Sequence, residues 1–167
     1  QKSKTEKKNY VETYVIHCAT KEIMKQKGFE FKYDFSSTSE KEKYQEEYDK
    51  MYAECKRTLY SAGYHIYTSI DPDVQKQLQS SVDNALSGYT EKDKNGIYKT
   101  QASGTCIDND TGKVVAIVGG REQKNIGYTL NRAFQSPRQP GSAIKPLLVY
   151  APALEHGWSA GSTVNDS

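Results

Sequence analysis

Apolar positions along the chain change period several times, and each change marks an element. From Tyr10 to Gln26, Val11, Tyr14, Val15 and Cys18 recur at helical spacing, with Ile23 and Met24 following. This predicts an amphipathic helix stopped by Gly28. Residues 29 to 38 mix aromatics with serine and threonine and read as a loop or short extended piece. Ser39-Glu40-Lys41-Glu42 then has the form of a capping box. The stripe Tyr44, Tyr48, Met51, Tyr52, Cys55, Leu59 predicts a second long helix, antiparallel to the first and ended by Gly63.

After Gly63 the period drops to two. Tyr64 to Ile70 alternates and is rich in β-branched and aromatic residues, which predicts a strand. Asp71-Pro72 supplies an N-cap and a proline at the first helical position, and Val74, Leu78, Val82 and Ala85 give the apolar face of a helix ending near Ser87-Gly88. A polar loop over 88 to 98 precedes a hairpin: Gln101 to Asp108, a turn at Asn109-Asp110-Thr111-Gly112, and Lys113 to Val118. The second strand is a continuous apolar run, which predicts a central position in a sheet covered on both faces. A loop from Arg121 to Gln139 leads to a final helix over Ser142 to Glu155, with Ile144, Leu147, Leu148 and Leu154 expected to be buried. The first nine residues are charged and without periodicity, and read as a frayed lead-in.

Composition narrows the function. A chain of 167 residues has room for one ordinary domain, or a small domain and part of another. With 23 basic and 21 acidic residues, net charge +2, no global field points to nucleic acid. The longest apolar runs, Val114 to Val118 and Leu147 to Ala151, are far short of the roughly 20 residues a membrane helix needs. Gln1 opens a Lys-rich polar stretch in which no signal peptide is read. Cys18, Cys55 and Cys106 lack metal-ligand spacing. They read as buried thiols, with a Cys18 to Cys55 disulfide as the alternative.

The chemistry concentrates in Arg138-Gln139-Pro140-Gly141-Ser142-Ala143-Ile144-Lys145-Pro146. S-x-x-K on a helix puts the hydroxyl of Ser142 and the amine of Lys145 one turn apart on one face, the arrangement of a serine nucleophile and a lysine base. Such a lysine acts as base only if burial or neighbouring positive charge lowers its pKa. Pro140-Gly141 breaks the chain before the helix, which places Ser142 at a helix N-terminus where backbone N–H groups can hold an oxyanion. Arg121 and Arg132 are candidates to brace the preceding loop, with an ordinary structural role equally in view. Asn131 and Gln139 are similar cases. His17, His65 and His156 are scattered and build no Ser-His-Asp arrangement.

Together with Gly119-Gly120-Arg121, Asn131-Arg132-Ala133 and Tyr64-His65-Ile66-Tyr67-Thr68-Ser69-Ile70-Asp71-Pro72, this string resembles the start of the transpeptidase domain of class A penicillin-binding proteins. The resemblance implies an α+β fold, with a helical linker segment at 1 to 62 and the first half of a β-lactamase-like serine transpeptidase domain at 63 to 167. It implies Ser142 and Lys145 as catalytic residues and no metal or organic cofactor. Peptidoglycan stem peptides and β-lactam antibiotics are the implied ligands. The implied protein partners are the rest of the transpeptidase domain and an upstream glycosyltransferase domain. The implied location is the extracytoplasmic face of the bacterial membrane, held by an anchor outside this chain. The family's S-x-N and K-T-G motifs are absent: no serine has Asn two positions later, and Lys4-Thr5 and Lys99-Thr100 precede Glu6 and Gln101. The chain therefore reads as the front half of a catalytic domain, inactive alone. The alternatives are a non-catalytic scaffold or interaction module of a cell-wall protein, and a β-lactam sensor or hydrolase.

Overall fold

The computed structural model describes residues 9–123 and 130–164. The lead-in read at the first residues lies outside the described range as far as position 8, as do positions 124–129 of the loop before the final helix. The chain divides into two compact units, one up to Ser136 and one from Pro137. The sequence boundary between 62 and 63 falls inside the first unit.

Helix α1 spans Tyr10–Gln26, as the periodicity predicts. Asn9 is not frayed. Its side chain accepts from the Glu12 amide at 2.8 Å while the Glu12 carboxylate accepts from the Asn9 amide at 2.7 Å, a reciprocal cap that starts the helix. Gly28, at φ +85°, turns the chain out at the other end. Helix α2 spans Thr38–Ser61. Its cap is Ser37 rather than Ser39, with Ser37 Oγ accepting from the Glu40 amide at 3.2 Å. Both serines have glutamate three positions on, but the earlier start lets the Glu40 carboxylate accept from Ser36 N at 2.8 Å and Ser36 Oγ at 2.6 Å. It also extends the helical ladder by two residues.

The predicted tyrosine stripe faces α1. Ile23 and Met24 meet Cys55 and Leu59 in a buried cluster, flanked by Phe29, Phe31, Tyr48, Met51 and Tyr52. Tyr48 and Tyr52 stack at 5.8 Å, and Phe35 and Phe29 extend the aromatic layer onto Tyr44. Cys55 is buried, Cys18 exposed and Cys106 half-buried, and all three are free thiols. No Cys18 to Cys55 disulfide forms, and Cys18 is not buried: it sits exposed on α1, one turn from Tyr14. Burial and that neighbour push the Tyr14 hydroxyl up to about 12.

Asp71 caps helix α3, Pro72–Ala85, by accepting from the Asp73 and Val74 amides. Strands β1, Gly104–Ile107, and β2, Val114–Val118, form the predicted antiparallel hairpin, with a bulge between Cys106 and Ile107. Ala116, Ile117 and Val118 are buried. Yet β2 is not central, since the sheet has two strands among the described residues. Its apolar run reports packing beneath α1 and α3 rather than a strand on each side.

The far edge of β2 is closed mostly by side chains. Gln75 Nε2 donates to Ile117 O at 3.0 Å, and Gln75 Oε1 accepts from Ile117 N at 2.8 Å, so one amide side chain makes both bonds of a neighbouring strand. Tyr64 to Ile70, predicted as a strand, forms no ladder. Only the Ser69 hydroxyl, to Val114 O, and the Asp71 amide, to Val115 O, reach β2. Beyond them the Gln75 amide occupies the edge.

The second unit is a helical run that changes winding twice. A 3₁₀ turn over Gly141–Ile144 passes into a wide π turn over Pro146–Tyr150 and then helix α5, Ala151–Glu155. The prediction of one regular helix fails because of Pro146 and Pro152. Neither has an N–H to donate, and each ring crowds the preceding turn, which widens the winding between them. The expected burial is also corrected. Ile144 is half-buried, but Leu147 and Leu148 are 69% exposed and Leu154 56%, because no element within this unit lies over them.

Candidate active site

Gly141 enters the 3₁₀ turn at φ +54°, a conformation open to glycine but strained for other residues. The Ala143 amide donates to Pro140 O at 3.2 Å, and the Lys145 amide donates to Ser142 O. That second bond is the i+3 to i closure of a 3₁₀ turn, in which side chains three apart eclipse one another. Ser142 and Lys145 therefore share one side of the turn, as the S-x-x-K spacing predicts. Both are exposed, and neither side chain has a hydrogen-bond partner among the described residues. Gln139 is exposed beside them.

The arginines and Asn131 belong to the first unit and tie loops together. Asn131 is fully buried. Its Nδ2 donates to Tyr10 O at 3.1 Å, and its Oδ1 accepts from the Ala133 amide at 3.2 Å, capping the short helix α4, Arg132–Gln135. Arg132 N donates to Gly119 O at 3.0 Å. Arg121 is buried, with its guanidinium 3.6 Å over the Tyr98 ring and bonded to Tyr89 O. Gln101 Oε1 accepts from Arg121 N at 2.8 Å and from Arg132 Nη1 at 3.5 Å. The structural role of both arginines is thus visible. Sequence reasoning misses Gln75 and Gln101, and also Gln79, whose Nε2 donates to Gly120 O at 3.3 Å; nothing in their spacing distinguishes these three from surface glutamines.

The histidines do not converge. His17 is half-buried, with Nδ1 3.2 Å from the Tyr52 hydroxyl and its ring 4.8 Å from Phe134; His65 and His156 are exposed. Burial, with Lys21 nearby, holds His17 below its ordinary value of 6.5. Its protonation is therefore harder in the fold than in the unfolded chain. The stabilising contribution is complete above 6.5 and is lost as pH falls from there through the lower folded value. Urea unfolding of the full-length protein between pH 7.5 and 5.5 is expected to show this loss, and His17→Gln is expected to remove that part of the slope.

Among the described residues no group of three or more His, Cys, Asp or Glu is arranged to hold a metal, and no helix is long and apolar enough to cross a membrane. A groove of about 680 Å³ lies in the first unit between α1 and residues 64–70.

Residues 102–167, which include the Ser142 turn, match the profile of the penicillin binding protein transpeptidase domain. The chain is 44% identical over 131 residues to penicillin-binding protein 1A of Clostridium perfringens strain 13, an alignment covering 74% of this chain. The chain belongs to the class A penicillin-binding protein family. Penicillin-binding protein 1A of Clostridium tetani is 38% identical over 124 residues, covering 72% of this chain and 16% of that protein. Penicillin-binding protein 4 of Bacillus subtilis is 32% identical over 156 residues, covering 93% of this chain and 23% of that protein. The chain thus spans under a fifth, 18%, of the Clostridium perfringens penicillin-binding protein it matches. Mixed helix and strand content, with helices first and the hairpin after, agrees with the fold class expected from the sequence.

Proposed function

We propose that this chain is the nucleophile-bearing section of a serine D,D-transpeptidase that cross-links peptidoglycan stem peptides. The observation that carries the reading is the Arg138-Gln139-Pro140-Gly141-Ser142-x-x-Lys145 turn, with Ser142 and Lys145 on one side, inside the segment matching a transpeptidase domain.

Ser142 Oγ attacks the carbonyl between two terminal D-alanines as Lys145, neutral at that moment, takes the hydroxyl proton. The tetrahedral intermediate collapses by breaking the C–N bond, and the departing D-alanine amine receives a proton. An acceptor amine then attacks the acyl ester, and Ser142 leaves as the regenerated hydroxyl. β-Lactams present a strained amide to the same serine and acylate it. No metal or organic cofactor takes part. The other groups of the site, an S-x-N and a K-T-G motif, are supplied by the rest of the transpeptidase domain. That domain also covers Leu147, Leu148 and Leu154. A glycosyltransferase domain and a membrane anchor belong to the same longer protein, on the outer face of the membrane.

The test is release of D-alanine from a synthetic peptide ending in D-Ala-D-Ala by the full-length protein. Ser142→Ala is expected to bring release down to background. Full release by that variant overturns the assignment of the nucleophile.

A further inference from the structure

Seven consecutive residues, Tyr64 to Ile70, have the composition of a strand but not its bonds. Among the described residues none of them has a backbone N–H or C=O bonded to another backbone group. Tyr64 is 49%, Ile66 45% and Tyr67 94% exposed. A row of open backbone groups carrying alternating β-branched and aromatic side chains is a template for an added strand. The obvious partner is excluded, because the Gln75 amide and the Asp71 amide already take the edge of β2. Alongside Tyr64–Ile70 runs the groove of about 680 Å³, lined by Tyr14, Cys18 and Ile23 of α1, by Leu59 of α2 and by Gly112 to Val114 where the chain enters β2. Val15, Ala19 and Ile23 give its α1 wall an apolar strip, beside Glu22 and Gln26.

We propose that Tyr64–Ile70 is the docking edge for an extended segment of the same polypeptide lying outside residues 1–167, which pairs with it by main-chain hydrogen bonds and fills the α1 groove with alternate apolar side chains. The inference rests on the reading above, in which this chain is one section of a longer protein. A relative of which such a chain spans only 18% has ample polypeptide to supply the strand. Backbone pairing sets the chemistry of the occupant: an extended peptide, with apolar residues at every second position facing α1.

Hydrogen exchange in the full-length protein tests this directly. Amides of His65–Ile70 are expected to exchange at least about 100-fold more slowly than those of the exposed turn at Lys94–Gly96, unchanged on dilution. A photo-crosslinking residue in place of Tyr67 is expected to join a peptide outside residues 1–167 within a single molecule. Exchange as fast as the turn overturns the proposal, as does protection that fades on dilution or a crosslink between two copies, since either would assign the edge to a second copy. Acylation of Ser142 by penicillin is measured on the same sample. An unprotected edge with an acylated Ser142 defeats the docking proposal alone, and a protected edge with an inert Ser142 defeats the functional reading alone.

Discussion

Gly119→Ala is expected to cost the first unit about 3 kcal/mol or more. A methyl at this position would sit 2.4 Å from Asn131 Oδ1, 2.5 Å from its Cγ and 2.6 Å from its Cα. The last of these is backbone, and Asn131 cannot yield elsewhere without cost. Its side chain is fully buried and holds Tyr10 O and the α4 cap at once. Displacing it strips the buried Asn131 amide of its bonds to Tyr10 O and the Ala133 amide, a penalty of about 1–3 kcal/mol beside the overpacking. Against a total stability of about 5–15 kcal/mol for a typical domain, this is a large fraction. Gly112→Ala is the control: φ +68° strains an alanine there, but open space receives the methyl, and about 1 kcal/mol is expected. Urea unfolding of the full-length protein separates the two. Equal losses would mean that the Gly119–Asn131 contact is not what holds the loop.

Lys145→Arg is expected to be as damaging to acylation as Lys145→Ala, by about 10²–10⁴-fold. Arginine keeps the charge and reach of lysine but does not give up its proton at working pH, so it cannot serve as a base. If the lysine only holds substrate by its charge, the arginine variant retains most of the rate while the alanine variant loses it. Stopped-flow acylation of full-length protein by a chromogenic β-lactam distinguishes these cases, with Ser142→Ala setting the background.

Much of the fold is legible in local pattern, and the departures share a cause. Helix α1 is readable to the residue because its periodic face, its polar N-terminus and Gly28 all agree. The α2 cap is ambiguous in sequence because Ser37 and Ser39 carry the same S-x-x-E spacing, and only Ser36, on the outer side, decides between them. Propensity in Tyr64–Ile70 favours a strand, but propensity does not supply a ladder partner, and a glutamine side chain holds the position one would take. The apolar residues of the final helix predict regular winding, and two prolines make it irregular. At the site, the S-x-x-K spacing alone puts Ser142 and Lys145 on one face, and the 3₁₀ turn keeps them there. Asn131 and Arg121 stand out in sequence, but their work, with one held to Tyr10 O and the other stacked on Tyr98, depends on contacts across more than twenty positions.

The central claim is that Ser142 is an acyl-accepting nucleophile. It is tested most directly by the intact mass of the full-length protein before and after incubation with a penicillin, with the adduct mapped by proteolysis. The expected result is a gain of one penicillin on the peptide carrying Ser142, absent in Ser142→Ala. No adduct on the wild-type protein, or an adduct that persists in the variant, would contradict the account.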